Sequence, residues 1–415
     1  MKTRVNEKIA LGFGNNIDYE IVWDSRVFED LIVQYDIHND ELDVNTAISC
    51  ERDLLISILA FLKGGSGGER FVSSSFIIEH FSQRFQNKIT LGGTSVRAAI
   101  AMRKLGYTSA LHLVTINDQV RRLIPQDCPY VCSNEQDSSY PHLIVQFGKG
   151  TRVRANDIDI CTDQGDRIIY HSDYDNIRMR LNEDFADLIT NARVLLISGF
   201  NAMQSEALLT NRLESLLRIM GSLPEDALVF YEEAGFYEPR FCQLIYRSLA
   251  SHIDIVSLNE DEVQSHLGRK LDLLDAVQIR EALADLQHLI PVPVIVVHTK
   301  YWALAYGKDA VRFERALKGG VTLATTRFCY GDDFTAEHYN RIESLSPRQD
   351  CAIFADSINE LSGNTICCVP VADVDQLNGT TVGLGDAFVG GFLSVAHSLD
   401  LPSESVPPTE SAPCQ

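Results

Sequence analysis

Short runs of consecutive apolar residues recur along the chain, and between them apolar side chains return at every third or fourth position. The clearest runs are 8–13, 110–116, 194–199, 227–231, 253–258 and 292–298; the clearest amphipathic stretches are 203–220, 239–250 and 271–289. A run that is apolar at every position predicts a strand covered on both faces. Alternation of such strands with helices predicts a mostly parallel central sheet between two helical layers. The rhythm holds from residue 107 to 400, so the expected fold class is α/β, three layers deep.

Two regions break it. Residues 19–91 open on a strand-like 19–23, carry an acidic stretch at 36–43, a helix-like 54–62 and a glycine cluster at 64–68. Residues 138–172 alternate apolar and polar positions over 142–147 and 151–160, separated by Gly148-Lys149-Gly150, and again over 167–170, as hairpin strands do. The expectation is a discontinuous, smaller, β-rich lid of 19–91 and 138–172, inserted into a large α/β domain of 1–18, 92–137 and 173–400. Residues 401–415, rich in Pro, Ser and Glu, are expected to be disordered.

Composition narrows the function classes. Of 415 residues, 45% are apolar and 22% charged, as in soluble globular proteins. No run reaches membrane-spanning length and the first residues lack an apolar signal core, so the expected location is the cytoplasm. The ten cysteines are scattered without metal-ligand spacing, and are read as reduced thiols. The formal charge of −21 argues against nucleic acid as a partner. It leaves room for a phosphorylated small molecule, because a site can be locally basic.

The most informative segment is Gly383-Leu384-Gly385-Asp386. It follows the apolar run 365–371 and precedes a helix expected over 387–397. Small residues before a helix let several backbone N–H groups converge on one point, where the helix dipole adds partial positive charge. A carboxylate there can take the proton of a hydroxyl that attacks a phosphoryl group. The plainer reading is a glycine-rich loop with Asp386 as the helix N-cap.

Other segments carry weaker signals. Gly12-Phe13-Gly14-Asn15-Asn16-Ile17-Asp18 follows a strand but leads into extended chain, which argues against a dinucleotide-binding turn. Asn and Asp at a strand end can instead hydrogen-bond sugar hydroxyls, or merely stabilise a turn. Gly92-Gly93-Thr94-Ser95 precedes a helix, with Thr94 or Ser95 as its expected N-cap. Glu232-Glu233 and Asn259-Glu260-Asp261-Glu262 end apolar strands, where open α/β sheets bind ligands and carboxylates suit Mg²⁺. Against this, Asn259 and Glu262 also spell a capping box, and Glu233 reads as plainly solvated.

Taken in order, Asn15-Asn16-Ile17-Asp18, Gly92-Gly93, Asn259-x-x-Glu262 and Gly383-x-Gly385-Asp386 resemble the ribokinase-like superfamily. His142–Phe147 with Gly148-Lys149-Gly150, Asp166-Arg167-Ile168-Ile169, Ile197-Ser198-Gly199-Phe200-Asn201, Val297-His298-Thr299 and Thr381–Asp386 narrow the resemblance to the ADP-dependent glucokinase and phosphofructokinase family, over about residues 10–395. That resemblance implies a kinase moving the β-phosphoryl of ADP to a hexose or hexose phosphate and releasing AMP. Asp386 would be the base and Gly383, Leu384 and Gly385 the anion hole. Asn259, Glu262 and Glu232, the last at the Glu of a His-x-Glu motif, would hold Mg²⁺. His298, Thr299 and Val382 would meet the nucleotide. Asn16, Asp18, Gly93 and His142 would meet the sugar, with Glu69 for glucose, or Lys149 and Arg167 for the 6-phosphate of fructose 6-phosphate; glucose is preferred. Three positions depart from the family: Phe230 for the His of His-x-Glu, Thr94 for Gln or Asn, and Gly148 for Pro. The alternatives are an ATP-dependent kinase of another sugar or nucleoside, and a sugar-binding or regulatory relative that has lost turnover. The oligomeric state stays open between monomer and dimer.

Overall fold

In the computed structural model, which describes residues 7–374 and 379–399, nine strands form one sheet. Their order is Ile366–Pro370, Trp302–Gly307, Val294–His298, Ile255–Asn259, Leu228–Glu232, Val194–Ile197, Ile9–Leu11, Ala110–Leu113 and Tyr130–Cys132. Every pairing is parallel except those of Trp302–Gly307, which runs antiparallel to both neighbours. Helices cover both faces, so the architecture is the α/β class expected. Alternation along each strand feeds two separate cores: Ile9, Leu11, Val194 and Leu196 join one, Ala10, Leu195 and Ile197 the other. The expected tail 401–415 and Asn378 lie outside the described residues.

A second sheet of five strands stands apart, in the order Gly68–Phe71, Asp166–His171, His142–Phe147, Asn16–Ile21 and Asn87–Gly92. Its apolar face packs on the helices Ser25–Gln34, Glu51–Gly64 and Ser75–Ser82 through Phe28, Leu55, Leu59, Phe81 and Tyr170. The strand Asn16–Ile21 lies wholly in this sheet, so the boundary expected after residue 18 falls inside a strand.

Three local expectations are corrected. The segment 151–160 is not one strand: Arg152–Ala155 and Ile158–Cys161 form a hairpin, turned at Asn156 with φ 49° and clasped by Arg152 on Asp159 at 2.9 and 2.8 Å. The helix after Gly93 is capped by neither Thr94 nor Ser95. Gly93 itself is the cap residue, and the Ser95 hydroxyl donates to the Gly14 carbonyl at 2.9 Å. The last helix runs Leu384–Ala396, starting three residues before the expected 387, so Asp386 is its third residue and not its cap.

Candidate active site

A cleft of about 1080 Å³ opens between the two sheets, and its walls come from the loops at their facing ends. At one end lies the 383–386 turn. Gly383 takes the left-handed conformation (φ 70°), and the first intrahelical bond runs from the Ala387 amide to the Gly383 carbonyl at 3.0 Å. The amides ahead of it have no helical partner, so this helix start is suited to receive an anion. A side chain at 383 would meet Arg97 Nη1 at 2.8 Å and Arg327 Nε at 3.1 Å, so two guanidinium groups flank the turn. Arg327 holds it from behind by donating to the Val382 carbonyl at 2.8 Å.

Arg97 is the charged centre of the cleft. It is buried, donates to Asp18 Oδ2 at 2.6 Å and Glu20 Oε1 at 3.4 Å, and stands 3.8 Å from Asp386 Oδ2. Burial works against its charge, but Asp18, Asp386 and Glu20 outweigh it and raise its pKa further.

The floor carries acids. Glu232 is buried at a strand end; His298 Nε2 lies 3.1 Å from its Oε1, while Oε2 has no hydrogen-bond partner among the described residues. Glu262 Oε2 accepts the Asn259 amide at 2.8 Å, and Asn259 Oδ1 accepts the amides of Asp261 and Glu262 at 2.8 and 3.0 Å, a complete capping box. Burial, then the Glu232 charge, pushes the Glu262 carboxyl up to about 8. Two crowded carboxyls, one with an orphaned oxygen, fit a divalent cation. Asn259 spends its carboxamide oxygen on the helix cap and so acts by holding Glu262 in place. The missing histidine is also explained. Phe230 points into the core against Phe392 (5.1 Å between rings), and Glu232 receives its imidazole from His298, two strands away. His298 stacks on Phe388 at 4.6 Å, and Thr299 Oγ1 is taken up in its turn by the amides of Tyr301 and Trp302, both at 3.1 Å.

The opposite wall comes from the small sheet. Asn16 Nδ2 donates to Asp18 Oδ1 at 2.6 Å. Neighbouring Asn15 is a latch, accepting the amides of Val114 and Thr115 at 2.8 and 3.1 Å. His142 Nε2 lies 3.1 Å from Asp173 Oδ2; burial opposes its charge, but Asp173 and then Asp18 raise its pKa. A Cβ at Gly93 would strike the Gly14 carbonyl at 2.7 Å, which explains the glycine (φ 90°). Glu69 and Arg167 line this wall; Lys149 does not. It lies exposed in the turn behind Gly165, its amide 3.7 Å from where a Gly165 Cβ would be.

Glu233, read as solvated, is buried, with Tyr246, Cys242 and His266 around it. Asp173, Arg97 and Arg327 are further cleft or support residues that the sequence reading missed. Arg97 left one signal: it is the one charged side chain between Thr94 and Met102 of its helix.

An anion-binding helix start with a carboxylate in its first turn, facing paired acids and a wall of sugar-type donors and acceptors, defines a phosphoryl-transfer enzyme of the kinase class. The chain belongs to the ADP-specific phosphofructokinase/glucokinase family, whose conserved region matches residues 7–394. It is 24% identical over 439 aligned residues to the ADP-dependent glucose/glucosamine kinase of Pyrococcus furiosus, covering 92% of this chain and 94% of that one. Its fold is similar to that of a phosphofructokinase from Pyrococcus horikoshii OT3 with AMP (TM-score 0.73, 17% identity, 94% and 98% covered). It is similar also to an ADP-dependent kinase in complex with fructose-6-phosphate and ADPbetaS (TM-score 0.73, 13% identity, 95% of each chain covered). Among the described residues no helix is long and apolar enough to cross a membrane, and the cysteines are free.

Proposed function

We propose that this protein is an ADP-dependent hexose kinase with glucose as its acceptor, working in the cytoplasm. The observation that supports it most is the convergence of Asp386, the 383–385 turn and Arg97 at one point of a cleft whose far wall holds Asn16, Asp18, His142 and Glu69. Asp386 accepts the proton of the attacking hydroxyl as the oxygen–phosphorus bond forms. AMP leaves with the electrons of the broken bond. The amides of the turn meet the charge on the transferring phosphoryl, and Arg97 adds a cation there, so the chemistry is positioning plus electrostatics. Glu232 and Glu262, with Asn259 behind them, would hold Mg²⁺, which when bound neutralises diphosphate charge. Val382, His298 and Thr299 line the nucleotide side. The five-stranded sheet acts as the lid, closing over the sugar to exclude water.

Glu69 in the wall and Lys149 outside it favour glucose. Arg167 in the wall is the one feature favouring fructose 6-phosphate as the acceptor. The test measures AMP and ADP production with Mg²⁺, offering ADP or ATP against glucose, glucosamine, fructose 6-phosphate and ribose. AMP with ADP and glucose is the expected result; turnover with ATP alone, or AMP only with fructose 6-phosphate, would replace donor or acceptor.

A further inference from the structure

One residue beyond Glu232 a second group of metal-ligating side chains gathers that phosphoryl transfer does not use. Successive residues at a strand end face opposite ways. Glu232 turns to His298, and Glu233 turns to Cys242 on the helix Arg240–Leu249 and His266 on the helix Glu260–Leu267. Cys242 Sγ lies 3.3 Å from Glu233 Oε2 and 3.9 Å from His266 Nε2, and that nitrogen lies 2.8 Å from Glu233 Oε1. Tyr246 donates its hydroxyl to Glu233 Oε2. Glu233 and Cys242 are buried, the His266 side chain is 12% exposed, and among the described residues no lysine or arginine pairs with Glu233.

We propose that Glu233, Cys242 and His266 form a binding site for a thiophilic divalent cation, Zn²⁺ foremost, separate from the Mg²⁺ carboxylates. Thiolate, imidazole and carboxylate are the three ligand types of protein zinc sites. With the usual bond lengths a tetrahedral zinc spaces such donors about 3.4–3.6 Å apart. The Sγ–Nε2 separation of 3.9 Å lies just above that range, each of these two atoms already touches one Glu233 oxygen, and one ligand atom from each residue falls within 4.8 Å of the others. Three protein ligands leave one position for water, and Tyr246 serves as the outer-shell partner that orients the carboxylate. Mg²⁺ prefers oxygen donors and does not compete for a thiolate. Glu233 lines the cleft, which gives the ion a way in. Binding releases the thiol proton, and a Zn²⁺ then balances one thiolate and one carboxylate around a neutral imidazole. Its effect is structural. It ties the strand end bearing Glu232 to two helices, one of which starts at the Asn259–Glu262 cap.

This site stands independently of the kinase reading, and its test reads metal, not turnover. The full-length protein is loaded with Zn²⁺, dialysed into Mg²⁺ buffer and assayed for bound metal, then loaded with Co²⁺ and examined for a thiolate-to-cobalt charge-transfer band. About one Zn²⁺ per chain and a clear band are expected, consistent with a single site. Cys242→Ser and His266→Gln should lose the zinc, and Cys242→Ser the band, while Glu262→Gln keeps both. Tyr246→Phe, the milder change, should weaken zinc about 10- to 100-fold in competition with a chelator, and serves if the ligand variants do not fold. Wild-type protein that retains no zinc, a band surviving Cys242→Ser, zinc lost in Glu262→Gln or unchanged affinity in Tyr246→Phe would each overturn the proposal.

Discussion

Arg97 joins the two halves of the cleft, since its one guanidinium reaches both the sugar-side Asp18 and the turn-side Asp386. Replacing it with Met leaves buried Asp18 and half-buried Glu20 without their guanidinium partner. Removing one partner of a buried pair costs about 3–5 kcal/mol, so urea unfolding of Arg97→Met should show a loss of that size. Adding Asp18→Asn should recover part of it, and simple additivity of the two changes would refute the coupling. Asp386→Asn is the contrasting case: its side chain is partly exposed and its ion pair with Arg97 spans 3.8 Å, so stability should change little. Turnover should fall about 10²- to 10⁴-fold, the range for loss of a general base, with the KM for sugar changed only a few-fold. Near-normal turnover would remove Asp386 from that role. The difference between these two residues also explains what the sequence revealed. Gly383, Gly385 and Asp386 act within one turn of chain, so their spacing is local and readable. Arg97 and Glu233 look like surface charges on their own segments, and only partners distant in sequence bury them.

The elements that carry those residues were legible where each is covered on both faces, because burial forces an uninterrupted apolar run. Trp302–Gly307 escaped notice because a three-residue turn locked by Thr299 folds it back beside Val294–His298, where a helical crossover is the rule. The helix Leu384–Ala396 was placed late for a related reason: glycines lower helix propensity, yet here they serve packing. Gly391 faces Gly319 of the helix Glu314–Tyr330 so closely that a Cβ on Gly391 would meet the Gly319 carbonyl carbon at 2.8 Å and Gly320 Cα at 2.9 Å. Gly391→Ala gains about 1 kcal/mol of helix propensity but overpacks an interface, at about 1–3 kcal/mol. The net should be a modest loss of stability. Turnover should fall further than that, towards the 10²-fold that accompanies about 1 Å of misplacement, because the same helix bears Asp386. A variant with wild-type turnover and lowered stability would show that the turn is positioned by Arg97 and Arg327 alone.

Both sheets share one vulnerability, a buried neutral histidine. His112 lies in the large domain's core between Phe13 and Phe185, its Nε2 accepting the Asn182 amide at 2.8 Å. His171 ends a strand of the small sheet beside Phe71 and His142. Burial pushes both down to about 3, with the His142 charge adding to the effect at His171 and Asp173 opposing it. A depressed histidine contributes no pH dependence above its unfolded value near 6.5. Below it the unfolded chain takes up a proton that the folded chain refuses, so each histidine removes about 1.4 kcal/mol per pH unit down to about pH 3. His142 runs the other way: its raised pKa gives stability that is fully present below 6.5 and lost as pH rises through the folded value. That gain is complete at pH 6.5, and Glu262, pushed up to about 8, adds stability on acidification down to its ordinary value of 4.5, where it offsets about one of the two depressed histidines. The histidine share is therefore read as a difference between wild type and variant in urea unfolding at pH 7, 6, 5 and 4. His112→Gln should lower stability at pH 7 yet flatten the slope by about 1.4 kcal/mol per unit. A slope unchanged by that substitution would assign the acid sensitivity to the carboxylates instead, and would mean that water reaches His112 in the folded state.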